Sequence, residues 1–415
     1  MRKTSLPFIA AGLLMSAASV PALADTLTPV VIFPAFHLTT LEVKVHKQKA
    51  FPDCPASGKF EDWFPNPNPG TKFSQVCKDK LLTLVVDPDR SLPMASRFSD
   101  QPGVKVKIKH YGDTESAPFY EPLYTFLEAN GYVRNKNIRV AGYDSRLTPD
   151  IGSFLKKTKK LIEKTYRQNY NTPVHLVGHS NGPLYIQYLL THTTQKWKNR
   201  FIHGFTPLAG NWPGQGLLYP VYFTGLNIID FTFPADAENA ASSAAMYQSH
   251  PSSYMSSADP AIFGAQETVL QANGVSYTPM DHQQLFEDAN LPLSQELAAA
   301  YIGFVKFNEP QYFPNVDVYA EKGSGLDTLV GLGLPDLSVG QAVDFNSAPV
   351  FVRDGDGNQE DLTNDAAYVW QNMPCYHFEL NDNAGVDHFS LASNPAVLNR
   401  LLTHLQQPKS DCPAS

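Results

Sequence analysis

Val174-His175-Leu176-Val177-Gly178-His179-Ser180-Asn181-Gly182-Pro183-Leu184 decides how this chain is read. Val174 to Val177 form an apolar run that suits a buried strand. Leu184 to Leu190 continue with a helical pattern. Between them lies G-x-S-x-G, with Ser180 at its centre. A strand, a sharp turn and a helix are the setting that separates a nucleophile elbow from a chance pentapeptide. The two glycines let the backbone turn tightly, so the serine oxygen stands clear of the strand end. A serine hydroxyl is a weak nucleophile at neutral pH. It needs a histidine base, oriented in turn by a carboxylate.

The flanking sequence repeats the alternation. Val30 to Phe33 is a buried-strand candidate closed by Pro34. Residues 118–131 read as a helix ending at Asn130-Gly131. Ile138 to Ala141 reads as a strand. Phe154, Leu155, Leu161, Ile162 and Thr165 share one face of a helix whose other face is lysine-rich. Phe205 to Leu208 is a further strand. Strands alternating with helices imply a mostly parallel sheet covered on both faces. Residues 212–310 break the rhythm and read as an inserted cap. It returns at Val316 to Tyr319, Val350 to Val352 and Tyr376 to Phe378, and Pro395 to Gln406 is a closing helix. The expected fold is an α/β-hydrolase with a mostly parallel central sheet. Its core comprises residues 25–211 and 311–415, with the cap between.

In such folds the triad runs serine, acid, histidine along the chain. Val350-Phe351-Val352 leads into Asp354-Gly355-Asp356-Gly357, whose glycines let a carboxylate bend toward a base. Asp356 is the first choice for the acid and Asp354 the second. His388 follows the last strand and precedes the closing helix, which makes it the expected base. His377 is a rival, but it falls inside an expected strand, where a packed role suits it better. The Asp354-Gly-Asp356-Gly-Asn358 stretch also echoes a calcium loop. Gln359 stands where that loop requires glycine and Asp365 where it requires glutamate, so no metal is expected. Two backbone N–H groups should face the developing oxyanion. Asn181, directly after the nucleophile, is one. Phe36, in the turn after the first strand, is the other.

The chain has 415 residues, 43% hydrophobic and 17% charged, with formal charge −8. That composition suits a globular protein with a sizeable core, and no basic tract points to nucleic acid. Residues 1–24 read as a signal peptide. Arg2-Lys3 precede an apolar stretch from Phe8 to Val20, and Ala22-Leu23-Ala24 is an A-x-A cleavage site. The mature chain is therefore expected outside the cytoplasm, secreted or periplasmic. Cys54, Cys77, Cys375 and Cys412 suit that oxidising setting. Three pairings are open, and proximity favours Cys54–Cys77 with Cys375–Cys412. The first pair would close a Pro-, Gly- and Asn-rich loop, 51–77, that carries Trp63 and Phe64. These aromatics are either core plugs or a lipid-facing patch.

Several segments together resemble the lecithin:cholesterol acyltransferase and lysosomal phospholipase family. They are Leu41-Glu42-Val43-Lys44, Asn130-Gly131-Tyr132-Val133-Arg134, Tyr143-Asp144-Ser145-Arg146-Leu147, Trp197 to Ile202, and the loop Val350 to Gly357. The resemblance covers most of the mature chain. It implies a cap, a lid and a membrane-binding region. It also implies attack on a glycerophospholipid ester through an acyl-serine, with the acyl group passed to water or to an alcohol such as a sterol. By position it makes Ser180 the nucleophile, His388 the base, Asp356 its orienter, and Phe36 and Asn181 the oxyanion donors. It pairs Cys54 with Cys77 across the lid and puts Trp63 where a lipid-sensing aromatic would sit. The chain departs from the family at Ala35-Phe36-His37-Leu38-Thr39-Thr40, at Ala209 to Gly214 and at Ser145.

The expectation is a serine phospholipase or acyltransferase that touches a phospholipid surface transiently and needs no cofactor. The alternatives are an esterase or lipase for neutral or soluble esters, and a catalytically inactive lipid-binding protein.

Overall fold

The computed structural model describes residues 27–64, 71–232, 234–343 and 347–413. The expected signal peptide, residues 1–24, lies outside the described residues. Six strands form the central sheet: β1 Val30–Phe33, β2 Ile138–Val140, β3 Val174–His179, β4 Ile202–Leu208, β5 Val318–Ser324 and β6 Phe378–Ala384. Their order is β6-β5-β4-β3-β1-β2, and every pair is parallel.

The β1 sequence shows why its run is apolar throughout. Successive side chains point to opposite faces of a sheet. Val31 and Phe33 pack on one face with Leu161 and Ile162 of helix α2 (Phe154–Gln168) and Leu184 and Leu189 of helix α3 (Gly182–Thr191). Val30 and Ile32 pack on the other with Leu123 and Leu127 of α1 (Glu121–Ala129) and Leu398 and Leu401 of α4 (Pro395–Gln406). A parallel strand covered on both sides has no polar face to show.

Two strand expectations need correction. Val350 to Val352 does not belong to the central sheet. It opens a strand, Val350–Gly355, that pairs antiparallel with Leu326–Leu334. Leu270–Ala272 and Val275–Tyr277 complete that four-stranded sheet. The cause is Gly325, which at φ +74° turns the chain straight from β5 into the second sheet. The antiparallel return then brings Gly355 opposite Leu326, back at the end of β5. The last strand also starts later than expected, at Phe378. It pairs with β5 alone, at the sheet edge, and its Phe-Glu-Leu-Asn-Asp-Asn-Ala sequence is mostly half-buried, so it carries little apolar signal. His377 consequently precedes the strand. It is exposed and bonds Glu379, rather than being packed within the sheet.

Residues 212–310 are helical in several pieces, including Leu218–Thr224, Ala237–Ser249 and Pro292–Tyr301. All seven residues of Leu218–Thr224 are buried, so no amphipathic period exists to be seen in its sequence. A three-stranded antiparallel sheet, Gly58–Asp62, Leu41–Val45 and Val104–Ile108, shares one apolar cluster with the 212–310 region, where Val43, Val45 and Phe60 join Leu218 and Tyr222. Cys54–Cys77 and Cys375–Cys412 are the disulfides. Among the described residues no helix is long and apolar enough to cross a membrane.

Candidate active site

Ser180 sits directly after β3 in the left-handed region, at φ 58°. A non-glycine residue there is unusual and costs energy. The structure enforces it from both sides. The Ser180 N–H donates to Leu208 O at 2.8 Å, and its C=O accepts from Asn211 N at 3.1 Å. The flanking glycines have separate reasons. A Cβ on Gly182 would lie 2.2 Å from Phe33 O, and one on Gly178 would lie 2.8 Å from Pro183 N. Helix α3 thus passes so close to β1 that only glycine fits.

Asp356 and His388 come together from distant parts of the chain. His388 Nδ1 lies 2.8 Å from Asp356 Oδ2, and His388 N donates to Asp356 O at 2.9 Å. The other carboxylate oxygen, Oδ1, accepts from the N–H groups of Asn358 and Gln359 at 3.0 and 2.7 Å. Asp356 is fully buried. Burial pushes its carboxyl up, but the facing imidazole and those two amides outweigh it and hold the group below the ordinary carboxylate range. The second-choice acid, Asp354, is exposed on the preceding strand.

Ser180, His388, Phe36 and Asn181 line one small cleft, together with Ala35, Gln215, Ile228, Ile229, Ser256, Asn358 and Phe389. Neither the Phe36 nor the Asn181 backbone N–H bonds another group among the described residues, whereas the Asn181 side chain is held by Ser256 and Asn211. Both N–H groups are available to an oxygen in the cleft. The turn that presents Phe36 has His37 at φ 58°, so a histidine takes the left-handed position in this glycine-poor segment. The Ser180 hydroxyl accepts from Gln359 Nε2 at 3.4 Å.

Three residues at the site had escaped the sequence reading. Gln359 reaches the serine from the acid loop, a contact that no local pattern announces. His179 and Tyr120 form a bridge beneath the cleft. The Ala35 N–H donates to Tyr120 Oη at 2.9 Å, Tyr120 Oη meets His179 Nδ1 at 3.0 Å, and His179 Nε2 meets His388 O at 3.0 Å. The carbonyl oxygen of His388 can only accept, which puts the His179 proton on Nε2 and leaves Nδ1 to accept from Tyr120 Oη. Burial and the neighbouring His388 push His179 down to about 3, so it is neutral. The usable signal was His179 itself: a histidine inside an apolar strand needs a partner for each ring nitrogen.

Trp63 and Phe64 are half-buried. They line a larger cavity of about 510 Å³ with His37, Asp62 and Tyr247, and this cavity shares Ile229 with the cleft at Ser180. The loop they belong to continues into residues 65–70, outside the described residues. Asp144 and Arg146 of the Tyr-Asp-Ser-Arg segment are structural. Arg146 bonds both Asp144 and Asp100 at 2.8 Å.

The parallel sheet with its strand–turn–helix at Ser180 defines an α/β-hydrolase. One solved structure, the Tle4–Tli4 complex, shares this fold with a TM-score of 0.52 at 13% identity, covering 92% of this chain and 99% of that one. The lecithin:cholesterol acyltransferase family model matches residues 92–301, and the chain belongs to that family. It is 27% identical to lysosomal phospholipase A and acyltransferase of Bos taurus over 328 residues, 74% of each chain. It is 37% identical to phosphatidylcholine-sterol acyltransferase of Mus musculus over 131 residues, covering 29% of this chain and 30% of that protein.

Proposed function

We propose that the protein is a serine-dependent phospholipase and acyltransferase, with Ser180 as nucleophile, His388 as base and Asp356 as the carboxylate that orients it. The observation that carries this is the bonded Asp356–His388 pair opening onto the cleft that also holds the elbow serine and two unspent amides. In this reading His388 takes the Ser180 proton as Oγ attacks the acyl ester carbonyl. The oxyanion forms against the N–H groups of Phe36 and Asn181, each contributing about 3 kcal/mol to lowering the barrier. His388 returns the proton to the departing lysolipid oxygen. Water or a lipid alcohol such as a sterol then attacks the acyl-serine, with His388 again as base. No metal or organic cofactor takes part.

The names of its relatives support a glycerophospholipid as acyl donor. The aromatic pair Trp63-Phe64, beside a cavity that adjoins the cleft, supports brief engagement of a lipid surface. The Arg2-Lys3 and A-x-A pattern, together with two disulfides, supports a mature protein outside the cytoplasm.

The test is phospholipid vesicles carrying a labelled acyl chain, with and without sterol. The proposal expects labelled free fatty acid, and sterol ester when sterol is present, with both products absent in Ser180→Ala. Release that persists in Ser180→Ala would remove the proposed nucleophile. Free fatty acid alone would remove the sterol transfer.

A further inference from the structure

We propose that a second cavity, separate from the catalytic cleft, binds a long-chain carboxylate, the class of molecule that acyl-ester hydrolysis releases. This cavity, of about 410 Å³, lies between the strand Val104–Ile108 and the start of helix α2. It shares no lining residue with the cleft at Ser180. Its volume falls in the range of ordinary small-molecule sites.

The wall is apolar and aromatic. Ile108, Tyr143, Leu147, Ile151, Phe154 and Tyr185 line it. Tyr143 and Tyr185 stack with ring centroids 3.7 Å apart, and Phe154 meets Tyr185 edge-on at 5.1 Å. The rim carries positive charge. Lys107 and Lys157 both line the cavity, both are exposed, and neither ammonium group has an ion-pair or hydrogen-bond partner among the described residues.

Two of the three acidic groups close by are already engaged; Asp150, half-buried between the lining residues Thr148 and Ile151, has no ion-pair partner among the described residues. Asp144 is bound to Arg146 at 2.8 Å, and Glu42, which faces Lys107 across the strand pair, is bound to Lys44 at 2.8 Å. Ser153 and Phe154, also on the wall, begin the fifteen-residue helix α2, whose first-turn amides add to the positive potential.

An apolar pocket with two uncommitted cations at its mouth matches an alkyl chain ending in one anion. A neutral lipid would gain nothing from the two lysines, and a small polar anion would leave the aromatic wall uncovered. The occupant would also touch the catalytic scaffold. Tyr143 Oη donates to Pro34 O at 2.5 Å, and Pro34 precedes the Ala35-Phe36 turn at the cleft. A free acid seated here therefore leans on the aromatic pair that braces the oxyanion turn. Only the source of the acid rests on the phospholipase reading.

The experiment uses a diazirine-bearing long-chain fatty acid with the full chain, below the concentration at which the acid aggregates. Crosslinks are mapped by mass spectrometry. The expected result is labelling of Tyr143, Leu147, Phe154 or Tyr185. The double variant Lys107→Glu/Lys157→Glu should lower that labelling by about tenfold, and the matching fatty alcohol should label as poorly as the variant. Labels confined to cleft residues such as Phe36, Ile228 and Ile229 would overturn the proposal, as would equal labelling by acid and alcohol. Labelling here by a diazirine phospholipid in anionic vesicles, with none from the free acid, would instead assign the site to a bilayer lipid and refute the free carboxylate. Crosslinking needs no turnover. A protein that captures the acid here but releases no acyl group from vesicles would fail the proposed activity and keep this site.

Discussion

Asp356 illustrates how a buried charge is made to serve chemistry. Its carboxylate is satisfied on one oxygen by its own loop amides, while the other meets His388 and also accepts from Asn364 Nδ2 at 3.3 Å. Asp356→Asn keeps the shape but offers the imidazole an amide in place of a charge. Turnover should fall by about 10⁴-fold with little change in melting temperature. A mild Asp356→Asn paired with a crippling Asp354→Asn would move the acid to the exposed neighbour. Glu360, in the same loop, gives a prediction of opposite character. Burial first, and then Glu267 beside it, push this carboxyl up to about 8 from 4.5. The folded chain thus holds a proton that the unfolded chain releases above pH 4.5, so this group's stabilisation is full below that pH and lost as pH rises through about 8. Glu360→Gln should raise the melting temperature near pH 8 and leave it nearly unchanged near pH 4.5; an equal shift at both would contradict the assignment. His179 and His250 carry the reverse sign. Burial lowers both from 6.5 to about 3, so their contribution is present above 6.5 and lost as pH falls through about 3. Ser180 and the Asp356 loop could be read from local patterns, whereas Gln359 and Tyr120 could not. Their partners lie 179 and 59 residues away, and nothing in a window around them encodes that approach.

Among elements, the elbow is the most constrained. Helix α3 begins against the β1 backbone, so Gly182→Ala must displace Phe33 O or the helix start. Because β1 leads into the Pro34-Ala35-Phe36 turn, the displacement reaches Phe36, one of the two proposed oxyanion donors. The expected cost is about 1–3 kcal/mol of stability, measured by denaturant unfolding, with a larger fractional loss of turnover than of stability. A fully active, fully stable variant would show that the close approach does not hold in solution. The Cys54–Cys77 bridge spans 23 residues, and its removal by paired serine substitution should cost about 3 kcal/mol. The buried strands β1 and β3 announced themselves because both faces are covered and the apolar run is unbroken. Edge strand β6 and the second sheet did not. Their half-exposed residues lack a clean period, and only the turn at Gly325 tells where β5 leaves the central sheet.

At the scale of the molecule, a six-stranded parallel sheet is interrupted in sequence, between Leu208 and Val318, by the mainly helical region 212–310. The sheet is legible because strand–helix alternation leaves a repeating signature. Region 212–310 is legible only as a break in that rhythm, since wholly buried helices such as Leu218–Thr224 present no polar face. If the aromatic loop engages lipid, Trp63→Ala should weaken binding to phospholipid vesicles several-fold more than it slows a soluble ester; equal losses would give Trp63 a packing role alone. The central claim is that Ser180 is a nucleophile made reactive by His388. A fluorophosphonate reagent tests it directly on the folded protein, with the modified peptide identified by mass spectrometry. The account predicts a single adduct on Ser180, absent in Ser180→Ala and strongly slowed in His388→Ala. A folded protein that takes up no phosphonate at Ser180, or takes it up equally fast without His388, would contradict it.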